Sequence, residues 1–149
     1  MNTKLLLDNL RTVYDFPKPG IHFKDVTTLF KNPACIEEMA QELVRIYQDK
    51  GITKVVGIES RGFVMGSILA QKLGAGFVMA RKPGKLPAET RKAPYLKEYG
   101  YATIEIHADA ITADDVQIKW TTLMGSTEAS EKDEIGLAHV SISKDGEVF

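Results

Sequence analysis

Two short apolar runs, Lys54–Ile58 and Gly76–Ala80, bracket a segment of helical period between Gly62 and Leu73. The first run is rich in β-branched residues, as suits a central strand buried on both faces. Between the runs, Phe63, Ile68, Leu69 and Leu73 turn inward on a helix. A strand, a tight turn, a helix and a second strand in so short a span make a parallel pair joined by a right-handed crossover. This unit restricts the chain to an α/β fold built on a parallel sheet. In such sheets ligands bind beyond the carboxyl ends of the strands, and the turn at that edge reads Glu59-Ser60-Arg61-Gly62. The helix behind it offers backbone N–H groups and a partial positive charge. Arg61 adds a guanidinium suited to bidentate contact with phosphate. The turn is therefore a candidate anion site, with a surface ion pair between Arg61 and Glu59 as the alternative. No P-loop or GxGxxG accompanies it.

The rest of the chain is read around this unit. Leu6, Leu10 and Val13 recur at helical spacing, which predicts a helix over residues 3–13. Asp15-Phe16-Pro17-Lys18-Pro19-Gly20 is an irregular loop, since two prolines and a glycine stop any helix. Asn32-Pro33 starts a second helix, which carries Ile36, Met39, Ala40, Leu43, Val44 and Tyr47 inward and stops at Gly51. Residues 81–100 lack periodicity and carry Arg81, Lys82, Lys85, Arg91, Lys92 and Lys97 against Glu89 and Glu98. A long basic segment of this kind reads as a mobile lid over a phosphate-rich ligand, or as a solvated loop. Tyr101–His107 alternates as a half-exposed strand, with Thr103, Glu105 and His107 on the outer face. One more strand is expected over residues 115–119, a loop over 125–132, and a terminal hairpin around Asp145-Gly146.

Composition narrows the function classes. Nineteen basic residues against 20 acidic ones leave a net charge of −1, so nothing in bulk favours nucleic acid or an anionic membrane. Any anion site must be local. No segment reaches the ~20 apolar residues of a membrane span, and the N-terminus lacks a signal peptide's pattern. The lone cysteine, Cys35, lies in an apolar-periodic segment, which points to a buried thiol and a reducing cytoplasm. His22, His107 and His139 lie on separate segments without metal-ligand spacing, so no protein metal site is expected.

Four stretches, "FPKPGIHFKDVTTLF", "VVGIESRGFVMG", "RKPGKLPAET" and "KEYG", together resemble the adenine phosphoribosyltransferases of the type I phosphoribosyltransferase class. The resemblance covers roughly residues 1–116. It implies one domain over residues 1–149, with a small N-terminal hood (1–35), a lid loop (81–100) and a divergent tail (117–149). It also implies a pentosyltransferase of purine salvage. Such an enzyme moves the 5-phosphoribosyl group of phosphoribosyl pyrophosphate to adenine, giving AMP and pyrophosphate. Mg2+ carried with phosphoribosyl pyrophosphate, a cytoplasmic location and a homodimer are implied as well. Residue by residue, Ser60, Arg61 and Gly62 resemble the family's pyrophosphate loop, whose peptide is often cis. Arg81, Lys82 and Lys85 resemble residues that meet pyrophosphate. Phe23 and Lys24 fall where the hood contacts adenine, and a ring at Phe23 suits stacking on a purine. Glu98, beside Tyr99, resembles the residue that handles the purine proton.

The resemblance ends at Gln117. Two acidic residues and a small-residue loop are expected there, to hold the ribose hydroxyls and cradle the 5′-phosphate. The chain has Lys119, Trp120, Thr121 and Thr122 instead, and Gly125, Ser126 and Thr127 are a thin echo of the phosphate loop. The C-terminal part thus reads as truncated or altered, through a shifted reading frame, a replaced tail or divergence. Two expectations follow: one sheet face left uncovered, and ribosyl transfer reduced or lost. The alternative to the enzyme is an inactive purine- or pyrophosphate-binding relative or a truncated product.

Overall fold

The computed structural model describes residues 1–97, 100–112, 114, 115, 117–120, 142 and 143. The chain opens with helix α1 (Thr3–Asn9), capped by Asn2, whose side chain accepts the Leu5 N–H. A hairpin of β1 (Arg11–Tyr14) and β2 (His22–Asp25) follows. The helix predicted to reach Val13 stops earlier, because Val13 pairs with Phe23 across the hairpin. The loop between these strands is the expected proline-rich one. A short helix α2 (Thr27–Phe30) leads to α3 (Pro33–Tyr47), where Asn32 accepts the Ala34 N–H and Pro33 occupies the first turn.

The crossover unit forms where the sequence places it: β3 (Lys54–Ile58), α4 (Arg61–Leu73) and β4 (Gly76–Ala80). Gly74 closes α4 in the left-handed conformation (φ 68°). The sheet order is β4-β3-β7-β8, with β7 (Gln117–Trp120) parallel to β3 and β8 (Ile142–Ser143) antiparallel to β7. β3 is thus an inner strand flanked by β4 and β7, as its composition required. The hairpin expected around Asp145-Gly146 and the loop over 125–132 lie outside the described residues.

One face of the sheet is closed by α3 and α4. Cys35, Met39, Leu43, Met65 and Leu69 pack there with Val55. Burial pushes the Cys35 thiol pKa up, which suits a structural rather than a reactive cysteine. The other face carries Val56, Val78 and Ala80. It meets Ala93, Ile104 and Ile106 from a hairpin of β5 (Thr90–Lys97) and β6 (Gly100–His107), together with Ile111 from the segment after β6. Where β3 and β4 run, both faces are therefore covered, contrary to expectation, and the hairpin supplies the second cover. The hairpin also corrects the reading of residues 81–100 as one long loop: Thr90–Lys97 is a strand, registered against β6 from Thr90–His107 to Lys97–Gly100.

Candidate active site

The β3–α4 turn stands at the carboxyl edge of the sheet. The Glu59–Ser60 peptide is cis. Ser60 is the N-cap of α4, and its side chain makes no capping hydrogen bond. The Glu59 N–H donates to Ala80 O at 2.8 Å, which ties the turn to the end of β4. Two glycines make the close packing behind it possible. A Cβ on Gly57 would meet the Phe77 ring at 2.6 Å and Gly62 O at 2.8 Å, and one on Gly66 would meet the same ring at 2.9 Å.

The carboxylate of Glu59 links the turn to the basic segment after β4. Its Oε2 accepts from Arg81 Nε at 3.1 Å and from the Lys82 N–H at 3.3 Å. The ion pair of Glu59 is thus made with Arg81, whereas the guanidinium of Arg61 lies over the ring of Phe23. Burial pulls the Glu59 pKa upward, but the Lys82 N–H and Arg81 outweigh it and leave the carboxyl below its ordinary value. Arg81 reaches further, donating from Nη1 to Lys85 O at 3.1 Å, and the Lys85 N–H closes the turn on Lys82 O. The ammonium-bearing Lys82 and Lys85 are exposed.

The hood approaches from the other side. Phe23 sits on β2, edge-on to Phe16, and Arg61 lies over its ring at 5.4 Å. Lys24 turns to the opposite face of the hairpin and donates to Thr12 Oγ1 at 3.1 Å. Asp25 anchors the end of β2: it accepts from the Thr27 hydroxyl and from Arg11, and these bonds hold its carboxyl down at about 2.

Of the candidate site residues, Ser60, Arg61, Gly62, Arg81, Lys82, Lys85 and Phe23 are brought together around one edge. Lys24 belongs to the hood, but its side chain is engaged by Thr12. Glu98, Tyr99, Gly125, Ser126 and Thr127 lie outside the described residues, as do Thr121 and Thr122. Among the described residues no three His, Cys, Asp or Glu side chains gather as a cation cage. A cavity of about 390 Å³ opens at the start of β3 and β4, beside Lys54, Gly76, His107 and Asp109. Its lining runs along β4 from Gly76 to Met79 and includes none of Glu59, Ser60, Arg61 or Gly62, so it is not this site. Sequence reasoning missed Glu105, a carboxylate on β6 that is 3% exposed and bonded to Lys92 and Gly84. Its alternation with Ile104 and Ile106 had marked it as solvent-facing.

No protein-family model matches the chain. It is 60% identical over 126 residues to the adenine phosphoribosyltransferase of Phocaeicola vulgatus, an alignment spanning 85% of this chain and 72% of that protein. The chain belongs to the adenine phosphoribosyltransferase family. The adenine phosphoribosyltransferase of Bacteroides thetaiotaomicron is 53% identical over the same length. Among solved structures, the adenine phosphoribosyltransferase of Rhodothermus marinus superposes with a TM-score of 0.72 at 48% identity, covering 78% of this chain and 66% of that one. The Giardia lamblia enzyme of this family, complexed with 9-deazaadenine, gives 0.74 at 41% identity over 80% of this chain and 66% of its own. The type I phosphoribosyltransferase fold expected from the sequence is therefore the fold observed. No helix is long and apolar enough to cross a membrane among the described residues.

Proposed function

We propose that the Ser60–Gly62 turn, the Arg81–Lys85 turn and the Phe23 hood together serve the family's reaction. That reaction transfers the 5-phosphoribosyl group of phosphoribosyl pyrophosphate to adenine, releasing pyrophosphate and giving AMP, and belongs to purine salvage. The observation that carries the assignment is the Glu59 carboxylate. By accepting from Arg81 and Lys82 it sets the basic turn against the N-terminus of α4.

The chemistry follows from this placement. As the bond from the anomeric carbon to pyrophosphate lengthens, negative charge grows on the leaving group and positive charge on the sugar. Preorganised donors aimed at the leaving group stabilise that state. The N-terminal N–H groups of α4, Arg61, Lys82 and Lys85 are the donors that stand at this edge. Phe23 offers a face on which adenine can stack. Glu98, with Tyr99 beside it, is proposed to handle the purine proton during attack, and the backbone of Lys24 to read the edge of the base. Gly125, Ser126 and Thr127 are proposed to offer N–H groups to the 5′-phosphate. Mg2+ would arrive with phosphoribosyl pyrophosphate and offset phosphate charge. The family resemblance supports a homodimer, and the lone buried Cys35 is in keeping with a reducing cytoplasm.

Radiolabelled adenine, incubated with the full chain, magnesium and phosphoribosyl pyrophosphate, tests the reading. Labelled AMP that forms only when phosphoribosyl pyrophosphate is present, at a rate lowered by the missing acidic pair after Gln117, is the expected product. Adenine left unconverted at every enzyme concentration would contradict the assignment.

A further inference from the structure

Glu105 sits mid-way along β6, between the buried Ile104 and Ile106. A carboxylate on a hairpin face is ordinarily left in water, because desolvating a charge is costly unless it is paired and hydrogen-bonded. Here the segment after β4 buries it. Arg81 and Glu105 exchange both backbone hydrogen bonds, at 2.8 and 2.7 Å. The turn then folds onto the side chain. The Gly84 N–H donates to Oε2 at 3.2 Å, with Gly84 in the left-handed conformation (φ 76°). Lys92 on β5 donates to Oε1 at 3.0 Å. At the near end of the same turn Glu59 accepts from Arg81 Nε and the Lys82 N–H. Two carboxylates, Glu59 on the β3–α4 turn and Glu105 on β6, therefore hold the Arg81–Lys85 segment at two points.

We propose that Glu105 is a positioning residue for the anion site: together with Glu59 it fixes the Arg81–Lys85 turn, so that Lys82 and Lys85 are already set beside Ser60–Gly62 before pyrophosphate binds. This rests on the assignment of that edge to pyrophosphate. Arg81 then differs in role from its neighbours. Its Nε is given to Glu59 and its Nη1 to Lys85 O, which makes it a brace inside the turn. The two carboxylates do not cancel the site's charge, because Arg81 and Lys92 offset them and Lys82 and Lys85 add to the positive side. A turn held in this way need not be ordered on binding, and that ordering cost would otherwise appear as lost affinity.

The test uses the full chain, Glu105→Gln and Glu105→Ala, titrated calorimetrically with magnesium pyrophosphate and, separately, with adenine. Hydrogen exchange at the Gly84 amide is followed alongside. The expected result is a pyrophosphate dissociation constant raised about tenfold or more in Glu105→Ala and less in Glu105→Gln, unchanged adenine affinity in Glu105→Gln, and faster Gly84 exchange in both. Glu105→Gln keeps the shape of the side chain, so it decides the matter if Glu105→Ala fails to fold. Unchanged pyrophosphate affinity in Glu105→Gln and in a folded Glu105→Ala would overturn the positioning role alone, and so would an equal loss of adenine and pyrophosphate in Glu105→Gln. An unvaried chain that binds no pyrophosphate would overturn the site assignment, and the positioning role with it.

Discussion

The guanidinium of Arg61 lies over the ring of Phe23, 5.4 Å from its centroid. This contact joins the hood to the β3–α4 turn, so the proposed adenine and pyrophosphate positions share a wall. A cation over an aromatic face contributes ~0.5–1 kcal/mol where water has access, enough to hold the hood near the turn and weak enough for a ligand to displace.

Phe23→Ala should therefore weaken adenine binding by ~1–3 kcal/mol, as for a lost base–aromatic stack, and change pyrophosphate binding far less. Separate calorimetric titrations with the two ligands measure this. Equal losses for both would mean that Phe23 packs the hood rather than meeting the base.

Gly57→Ala should destabilise the fold. The added Cβ would approach Gly62 O at 2.8 Å and the Phe77 ring at 2.6 Å. The ring can shift only at the expense of its packing behind α4, and the carbonyl belongs to the turn itself. Overpacking of this kind costs ~1–3 kcal/mol, to be read from urea unfolding midpoints. An unchanged midpoint would show that the turn yields easily.

Among the described residues six carboxyls titrate below their ordinary values, those of Asp25, Glu37, Glu42, Glu59, Glu105 and Asp115. Lys92 is the main cause for Glu105, opposed by burial and helped by the Gly84 N–H. For Asp115 it is the Thr112 N–H, then Thr53 and Lys54. Asp25 and Glu59 are held down as described above. A carboxyl with a depressed folded pKa stabilises the fold most above its unfolded value, and that contribution is lost as pH falls through the folded value. Melting temperature should hold from neutrality to about pH 5 and fall below it. The fall should be shallower in Glu105→Gln, which no longer gains a proton at that position. A profile identical to that of the unvaried chain would contradict the pairing of Glu105.

Much of the fold was legible because its signals are local. Lys54–Ile58 and Gly76–Ala80 are strands in sequence and in space, and Asn32-Pro33 marks the start of α3. The spacing of Leu6, Leu10 and Val13 misled because a helix and a following strand happened to share one helical pattern. Strand β5 was illegible because "TRKAPYLK" is charged and contains Pro94; its conformation is set by pairing with β6. The burial of Glu105 comes from Gly84 and Arg81, more than 20 residues earlier in the chain, and no window on β6 contains them. The turn and its basic neighbours were readable as residue types, but their union through Glu59 was not.

The hairpin changes what a protease should find. Arg91 and Lys92 lie in β5, paired with Ile106 and Glu105, so brief trypsin treatment should spare them. Mass spectrometry of the first fragments gives the answer. Initial cleavage after Arg91 or Lys92 would contradict the pairing and restore the reading of residues 81–100 as one mobile loop.

The central claim is that the β3–α4 turn binds pyrophosphate through Arg61 and the N-terminus of α4. Calorimetric titration of magnesium pyrophosphate into the unvaried chain and into Arg61→Ala tests it most directly. The account predicts binding by the unvaried chain and a loss of ~1.5–3 kcal/mol in the variant, as for a hydrogen bond to a charged group, with only a small fall in melting temperature because Arg61 is the first residue of α4 and its contact with Phe23 is weak. Equal affinity in the two proteins would contradict it.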